Sequence, residues 1–272
     1  SGEDTWCQGY SEPNAGSDLS NVGLKATLDG DQWILNGQKI WTSAGHLADH
    51  IFTLARTDPD APKHKGISFL LVDMRQPGIE VRPIKMMSGD SEFNEVFFTD
   101  ARCPKENVVG EVNGGWMVAM TLLGNERGAG AAVNSISFRG ELDKLTTLAK
   151  EKGLTSDPHI RQRLAQAHTK VEIMRFLGYR VLTAFMNGAK PGADASIGKL
   201  WWSEYHKEVT ELAVDILGAD ALVPVGQTPQ TAFTTDSVGS PNDSANWVGV
   251  FLNARAGTIY AGTSQVQRNI VG

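Results

Sequence analysis

Lys25-Ala26-Thr27-Leu28-Asp29-Gly30-Asp31-Gln32-Trp33-Ile34-Leu35-Asn36-Gly37-Gln38-Lys39-Ile40-Trp41 is the stretch that decides the fold. It is short-period, β-rich sequence punctuated at Asp29-Gly30 and Asn36-Gly37, and Asn-Gly loops favour the type I′ turn because both central residues take positive φ. Hairpins are therefore expected at both positions. Working outward, His50 to Arg56, Gly66 to Met74, Ile79 to Ile84 and Asn94 to Ala101 read as further strands, parted by Asp-Pro, Gln-Pro-Gly and Ser-Gly-Asp breakers. No helix-length pattern separates them, so connections are short, and an antiparallel barrel or sandwich follows rather than a Rossmann unit. Toward the N-terminus, Ser1 to Pro13 is turn-rich and aromatic-bearing without a starting element, which reads as a fragment entered mid-domain.

Beyond Gly110 the pattern lengthens. Gly115 to Lys152 carries the small and apolar stripe Trp116, Ala119, Met120, Leu123, Gly130, Val133 and Ile136, the signature of a helix with one core face. Asp157-Pro158 supplies an N-cap acid and a proline at the first helical position, starting a second helix that runs to about Asn187-Gly188. A third spans Ala193 to Leu217 and stops at Gly218, and shorter ones are expected at Asn246 to Ala256 and Gln265 to Ile270. Residues 221–245 turn into aperiodic Gly, Pro, Ser, Thr and Asp, longer than a connection needs, and read as a mobile insertion. The expected architecture is α+β and multi-domain: an antiparallel β-barrel or sandwich over residues 1–109, then an up-down four-helix-bundle-like domain over 110–272.

The 272 residues carry 25 basic and 31 acidic side chains, a formal charge of -6 with no block of like charge, which argues against a nucleic-acid footprint. Cys7 and Cys103 are too few and too far apart for a disulfide framework or a zinc site, so a reducing compartment is expected. No run approaches the roughly 18 apolar residues of a membrane span, and the N-terminus lacks basic and apolar leader regions. A soluble, cytoplasmic protein is the expectation. His46 and His50 lie in strand and loop, where a spacing of four does not align them, so no metal is expected; no Gly-x-Ser-x-Gly, Walker or His-Glu-x-x-His motif occurs.

Four stretches could carry chemistry, each with an ordinary structural use beside it. Tyr10 to Asp18 is a loop of hydroxyls and small residues that serves either as a polar surface turn or as a backbone cradle for an anionic or carbonyl-bearing ligand. In Gln38-Lys39-Ile40-Trp41-Thr42-Ser43 a strand delivers an indole with two hydroxyls behind it, either a core tryptophan or a stacking face with rim donors for a planar cofactor. Glu126-Arg127 interrupts a small and apolar helical run, as a flanking ion pair or as a pocketed carboxylate with raised basicity. Ala256 to Arg268 is a glycine-rich turn leading into the last helix, either a bare capping turn or a set of open N–H groups suited to oxyanions and carbonyls.

Their order and their β-then-helix setting resemble the acyl-CoA dehydrogenase family of flavoproteins over essentially the whole chain. The matching motifs are Ser11-Glu12-Pro13-Asn14-Ala15-Gly16-Ser17-Asp18, Asn36-Gly37-Gln38-Lys39-Ile40-Trp41-Thr42-Ser43, and Gly262-Thr263-Ser264-Gln265-Val266-Gln267-Arg268. The family fold is an N-terminal helical domain, a middle β domain and a C-terminal four-helix domain, and the chain matches the last two. The resemblance implies FAD between the β domain and the helices, with Tyr10, Ser11, Gly16, Ser17, Trp41, Thr42, Ser43, Gly218, Thr263 and Gln265 as cofactor contacts. It implies α,β-dehydrogenation of an acyl-CoA thioester, Ser17, Arg127 and Ala261 meeting the substrate and electron-transfer flavoprotein taking the electrons.

In most members a glutamate follows the tyrosine of the last turn, but here that position is Ala261. A minority places the glutamate directly before the arginine of the long helix, which Glu126-Arg127 matches, so Glu126 is the implied base and Ala261 contributes only its N–H. The arginine and glutamine that many members present to the FAD pyrophosphate across a subunit interface have no counterpart between Ala149 and Arg163, where Lys150 is the stand-in. That departure resembles actinobacterial members working as mixed oligomers with incomplete sites. A homo- or hetero-oligomer is implied, with a half-site or non-catalytic subunit as the alternative to a complete enzyme; a nucleic-acid-binding member of the fold is disfavoured by the charge.

Overall fold

The structure, a computed structural model, describes residues 2–188, 193–226 and 242–272; the side chains of 125–132 and 193–195 also lie outside the description. The chain divides into two compact units, Ser1–Leu123 and Gly124–Gly272.

The first unit is one curled seven-stranded sheet. Its strands are β1 (Trp6–Gly9), β2 (Lys25–Asp29), β3 (Gln32–Ser43), β4 (His50–Arg56), β5 (Ile67–Asp73), β6 (Ile79–Pro83) and β7 (Phe93–Pro104). They run in the order β1-β4-β2-β3-β7-β6, with β5 on β4. Most pairings are antiparallel, but β1 lies parallel to β4, and Lys25 of β2 pairs parallel with Arg56. The N-terminal stretch thus does hold a starting element, β1, hidden from a period-based reading because it has four residues. Inward alternation builds the core from Leu24, Ala26, Trp33, Leu35, Ile51, Val72, Val96 and Phe98.

The hairpin at Asp29-Gly30 forms, Asp29 pairing with Gln32 and Gly30 taking φ +58°. No turn forms at Asn36-Gly37. β3 runs through it for twelve residues, with a bulge against β7 between Leu35 and Gly37. Two contacts overrule the local preference. The Asn36 amide donates to the Asp100 carboxylate at 3.0 Å and accepts from the Asp100 N–H at 3.0 Å. Gly37 approaches β2 so closely that a Cβ there would sit 2.9 Å from the Leu24 Cα. The glycine is required by close approach rather than by a turn.

Alternation along β3 buries Trp33, Leu35 and Lys39. A charged residue in that register needs a partner. The Lys39 ammonium, fully enclosed, donates to the Glu12 carboxylate at 2.7 Å and to the Tyr10 carbonyl at 3.2 Å. Glu12 also accepts from the N–H groups of Gly23 (2.6 Å) and Leu24 (3.0 Å). One ion pair therefore joins the loop after β1, the start of β2 and the middle of β3. Burial pushes the Lys39 pKa down to about 8, with the Glu12 charge opposing the shift.

In the second unit the helices are α1 (Gly115–Glu151, whose first turns belong to the first unit), α2 (Pro158–Met186), α3 (Ala193–Leu217), α4 (Ser244–Ala254) and α5 (Ser264–Val271). Asp157 caps α2, accepting from the N–H groups of His159 (2.8 Å) and Ile160 (3.2 Å) with Pro158 behind it. Asp243 caps α4 in the same way. Phe138, Leu142, Leu145, Val171, Tyr205, Leu212 and Trp247 form this unit's core. Strand periodicity ends near residue 110, whereas the packing division falls inside α1, because Ala119 is buried with Tyr10, Leu54 and Phe69 of the sheet unit. For the same reason the expected stripe is not one core face: Val133 and Ile136 are exposed, and Ser135, Phe138, Leu142 and Leu145 point inward instead. The insertion read at 221–245 falls mostly on residues 227–241, outside the described residues.

Two stability measurements follow. Gly37→Ala should cost about 3 kcal/mol in urea unfolding through the clash with β2, whereas Gly30→Ala, equally at positive φ but facing open space, should cost about 1 kcal/mol. For Lys39, folded chains release the proton near pH 8 and unfolded chains hold it to 10.5. The unfolded state therefore binds more protons across that window, and the contribution of this group to stability should rise from pH 8 to 10.5 and be flat below. A Glu12→Gln/Lys39→Met double variant should lose that rise. Glu12→Gln alone, leaving a buried ammonium without its partner, should cost about 3 kcal/mol or more.

Candidate functional site

The candidate residues fall into two groups, one on each unit. In the first, β1 ends at Gly9 and the chain enters Tyr10, whose buried ring meets Phe52 and Phe69 edge-on at 6.1 and 6.2 Å. Glu12 to Ala15 close a tight turn around Pro13 by reciprocal N–H···O bonds of 2.8 and 3.0 Å. The turn leaves Gly16 and Ser17 exposed, with open space where a Gly16 Cβ would be. Asp18 pairs with Lys63 at 2.9 Å, and that hydrogen bond holds its carboxyl below the usual range. The Ser11 carbonyl accepts from the Ile40 N–H at 2.9 Å. Together with the Lys39 to Tyr10 bond, this places the first motif against the second.

A second bulge, between Lys39 and Thr42, decides what the second motif presents. Strict alternation from Trp33 through Lys39 would bury Trp41. The bulge adds one residue and flips the register. Trp41 takes φ +61° and stands 57% exposed, Thr42 goes inward, and Ser43 is exposed on the same face as the indole. A left-handed tryptophan costs about 1–2 kcal/mol. The ring is steadied edge-on by Phe93 at 6.2 Å. Thr42, fully buried, has no hydrogen-bond partner for its hydroxyl, and its carbonyl accepts from the Asn94 amide at 3.0 Å. An exposed indole face, a neighbouring hydroxyl and open backbone at Gly16 fit the requirements of a planar heteroaromatic cofactor. Of the three candidates on this strand, Trp41 and Ser43 are at the surface and Thr42 is not.

In the second unit, Ala261 and Gly262 are consecutive left-handed residues at φ +51° and +85°. Ala261 is exposed. Gln267, wholly buried, donates its amide to the carbonyls of Ala261 (3.0 Å) and Gly262 (3.3 Å). Lys199 on α3, also buried, donates to the carbonyls of Gly257 (2.9 Å) and Gly262 (2.8 Å). The Thr263 hydroxyl caps α5 by accepting from the Val266 N–H at 3.2 Å, and Gln265 is exposed in the first turn of that helix. Gly218 ends α3 at φ +59° with nothing against its Cβ position, and Lys150 is exposed near the end of α1. Glu126 and Arg127 lie within α1; their side chains are outside the described residues.

Four further residues, Glu12, Lys39, Gln267 and Lys199, hold these segments in place and stand outside the candidate set. Glu12 and Lys39 sat inside the quoted motifs, and the signal available was the parity of Lys39 with Trp33 and Leu35, which puts an ammonium in a buried register. Gln267 sat inside the terminal motif, and Lys199 is the one lysine on an otherwise uncharged turn of α3. His46 bonds Asn94 at 3.2 Å and His50 stacks on Trp6 at 4.7 Å. Among the described residues there is no cluster of three or more His, Cys, Asp or Glu able to hold a metal. Cys7 and Cys103 are free and buried, and burial pushes both thiols up to about 12.

Residues 7–101 match the acyl-CoA dehydrogenase middle domain and 113–272 the acyl-CoA dehydrogenase C-terminal domain. The acyl-CoA dehydrogenase IpdE1 of Mycobacterium tuberculosis is 43% identical over 270 residues, covering 98% of this chain and 65% of the relative. FadE34 of the same organism, also named an acyl-CoA dehydrogenase, is 39% identical over 97% of this chain and 34% of its own length. The chain therefore spans about 65% of the length of IpdE1. Among solved structures, a steroid acyl-CoA dehydrogenase, Tcur3481-Tcur3483, superposes with a TM-score of 0.84 at 32% identity over 98% of this chain and 66% of that one. The ChsE4-ChsE5 complex of M. tuberculosis gives 0.82 at 31% identity over 100% and 68%. With both domain matches covering nearly all of its length, the chain belongs to the acyl-CoA dehydrogenase family, a family of flavin-dependent proteins.

Proposed function

We propose that this chain serves FAD-dependent α,β-dehydrogenation of an acyl-CoA thioester, with Glu126 as the base that removes the α proton. The observation that carries the reading is the bulge that turns Trp41 and Ser43 outward at the expense of backbone strain, inside a motif the family uses for its flavin. Strain of that kind at an exposed aromatic residue is not repaid by core packing. On the first unit Trp41 would stack the ring and Ser43 bond its rim, with Ser11, Gly16 and Ser17 as further contacts, while Thr42 and the Tyr10 ring, both buried, support that surface from within. Gly218, Thr263 and Gln265 are the proposed contacts of the second unit. When bound, FAD supplies the acceptor for the β hydrogen as hydride.

Ala261 occupies the position where a carboxylate would otherwise stand, and a methyl group takes no proton. Glu126 is the remaining acid in a family position, and Arg127 beside it orients the substrate or pairs with the base. Ala261 polarises the thioester carbonyl through its N–H, acidifying the α carbon for Glu126. Electron-transfer flavoprotein is the acceptor, and the setting is cytoplasmic. Among the described residues no helix is long and apolar enough to cross a membrane.

A second reading is favoured by two structural relatives named as two-protein assemblies, Tcur3481-Tcur3483 and ChsE4-ChsE5. In it, this chain is one subunit of a heteromer and Lys150 stands in for the missing pyrophosphate contacts. The first of those names adds a steroid-type acyl group as a substrate class.

Anaerobic addition of a panel of acyl-CoA thioesters, steroid-derived ones included, should bleach the flavin absorbance of the full-length protein. Glu126→Gln should keep that absorbance and lose roughly two to four decades of the bleaching rate. Unchanged bleaching in the variant removes Glu126 from the reaction. Protein that is colourless alone and takes up flavin only with a second subunit establishes the heteromeric reading instead.

A further inference from the structure

α3 carries a row of polar side chains on its buried face: Ser196, Lys199, Ser203, His206 and Thr210, spaced by alternating steps of three and four. A buried polar row on a helix costs desolvation at every position unless something consumes it. His206 bonds Glu141 and Ser203 the Leu200 carbonyl, while Lys199 and Thr210 are taken up by the segment from Arg255 to Gly262. The Arg255 guanidinium donates to the Thr210 hydroxyl at 3.0 Å and to the Lys207 carbonyl at 2.7 Å. A Cβ at Gly257 would sit 3.5 Å from the Trp202 ring and 3.8 Å from Ser203, so the chain lies flat on the helix there. Lys199 then takes two carbonyls five residues apart, Gly257 and Gly262, with one ammonium.

From the opposite side Gln267 takes the carbonyls of Ala261 and Gly262. It does so tightly enough that a Cβ on Gly262 would lie 2.5 Å from its amide nitrogen. Three carbonyls of the turn, those of Gly257, Ala261 and Gly262, are thus spent inward. Among the described residues, neither the Ala261 nor the Gly262 N–H has a hydrogen-bond partner. Two adjacent left-handed residues with unused N–H groups form a concave donor pair.

We infer that Lys199 and Gln267 are positioning residues: a two-sided clamp on the turn carbonyls that fixes the Ala261 and Gly262 N–H groups as a preformed site for a carbonyl oxygen that gains negative charge. The inference rests on the dehydrogenase reading for the identity of that oxygen, a thioester carbonyl, but the clamp itself is a property of the unliganded chain. An ammonium suits the task because it orders two carbonyls at once while adding positive potential behind the donor pair. Neither residue touches the reacting atoms.

The test uses the full-length protein and the variants Lys199→Met, Lys199→Arg and Gln267→Leu. In unliganded protein, amide hydrogen exchange at Ile259 and Tyr260, whose N–H groups bond the Ala256 carbonyl, should speed up about tenfold or more in Lys199→Met and Gln267→Leu and revert in part in Lys199→Arg, with the rest of the second unit unchanged. With flavin present, kcat should fall about 10- to 100-fold while KM moves less than about threefold, since a donor aimed at developing charge acts on the transition state. Bound acetoacetyl-CoA, whose enolate carries the same developing charge, should enolise at higher pH in the two clamp-breaking variants than in the parent.

If one variant fails to fold, the other decides. Unchanged exchange at Ile259 and Tyr260 in a folded clamp-breaking variant overturns the clamp. Faster exchange with unchanged kcat and enolisation pH overturns the positioning role. Wild-type protein that bleaches with no thioester defeats the dehydrogenase reading, and the exchange comparison then still decides the clamp.

Discussion

The first unit depends on a charge that has no access to water. Lys39 is held in the sheet interior by the register of β3, and that position is tolerable only because Glu12 reaches it across the loop that follows β1. Such a pair adds little to stability over an apolar replacement, since desolvation of both ions offsets most of their attraction. Its value is positional. An apolar residue at 39 could pack against many loop conformations, whereas an ammonium needs a carboxylate at one distance and one direction. Glu12 in turn takes the N–H groups that begin β2. The Tyr10 to Ser17 loop, the β2 entry and the β3 bulge are thereby placed by one interaction.

The second unit solves a similar problem with carbonyls instead of a carboxylate. Apart from the short 3-10 turn Arg255–Thr258, the chain from Gly257 to Gly262 has no regular secondary structure to absorb its C=O groups until α5, and buried unpaired carbonyls are expensive. Lys199 and Gln267 satisfy three of them, and the Ser264 hydroxyl adds a bond to Glu204 on α3 at 3.0 Å. In both units a buried polar group from a regular element fixes an irregular segment, the Tyr10–Glu12 stretch in one and the turn that leads into Gly262–Arg268 in the other.

What was legible in the sequence follows from how local its cause is. The helix limits at Gly115, Pro158 and Leu217 came through because caps and prolines act within a turn of where they stand. The Asp29-Gly30 hairpin is equally local. Asn36-Gly37 has the same local chemistry and no turn, because Asp100 and Leu24, distant in sequence, claim the two residues. Trp41 could not be assigned to core or surface from spacing, since one bulge residue inverts the register and no composition rule reports a bulge. The parallel pairing of β1 with β4 is non-local in the same sense. The motifs named the candidate residues without revealing that Thr42 lies buried between two exposed neighbours.

Strain separates the positions that packing explains from those it does not. Among the described residues five non-glycine residues have positive φ: Trp41, Ala44, Asp100, Asn113 and Ala261. Asp and Asn tolerate that conformation through local hydrogen bonds. Asp100 is tied to Asn36, and Asn113 bonds Thr57 and Ser68. Trp and Ala have no such compensation. Ala44 follows directly on the bulge strand and bonds the Glu92 carbonyl through its N–H at 2.8 Å, which carries β3 out of the register that Trp41 inverted. Trp41 and Ala261 remain, one on each unit and both exposed. A sequence free of functional demand would place glycine at both. An indole at one, and at the other an alanine whose neighbouring carbonyls take a buried lysine and a buried glutamine, are costs in backbone strain that core packing does not repay at either position.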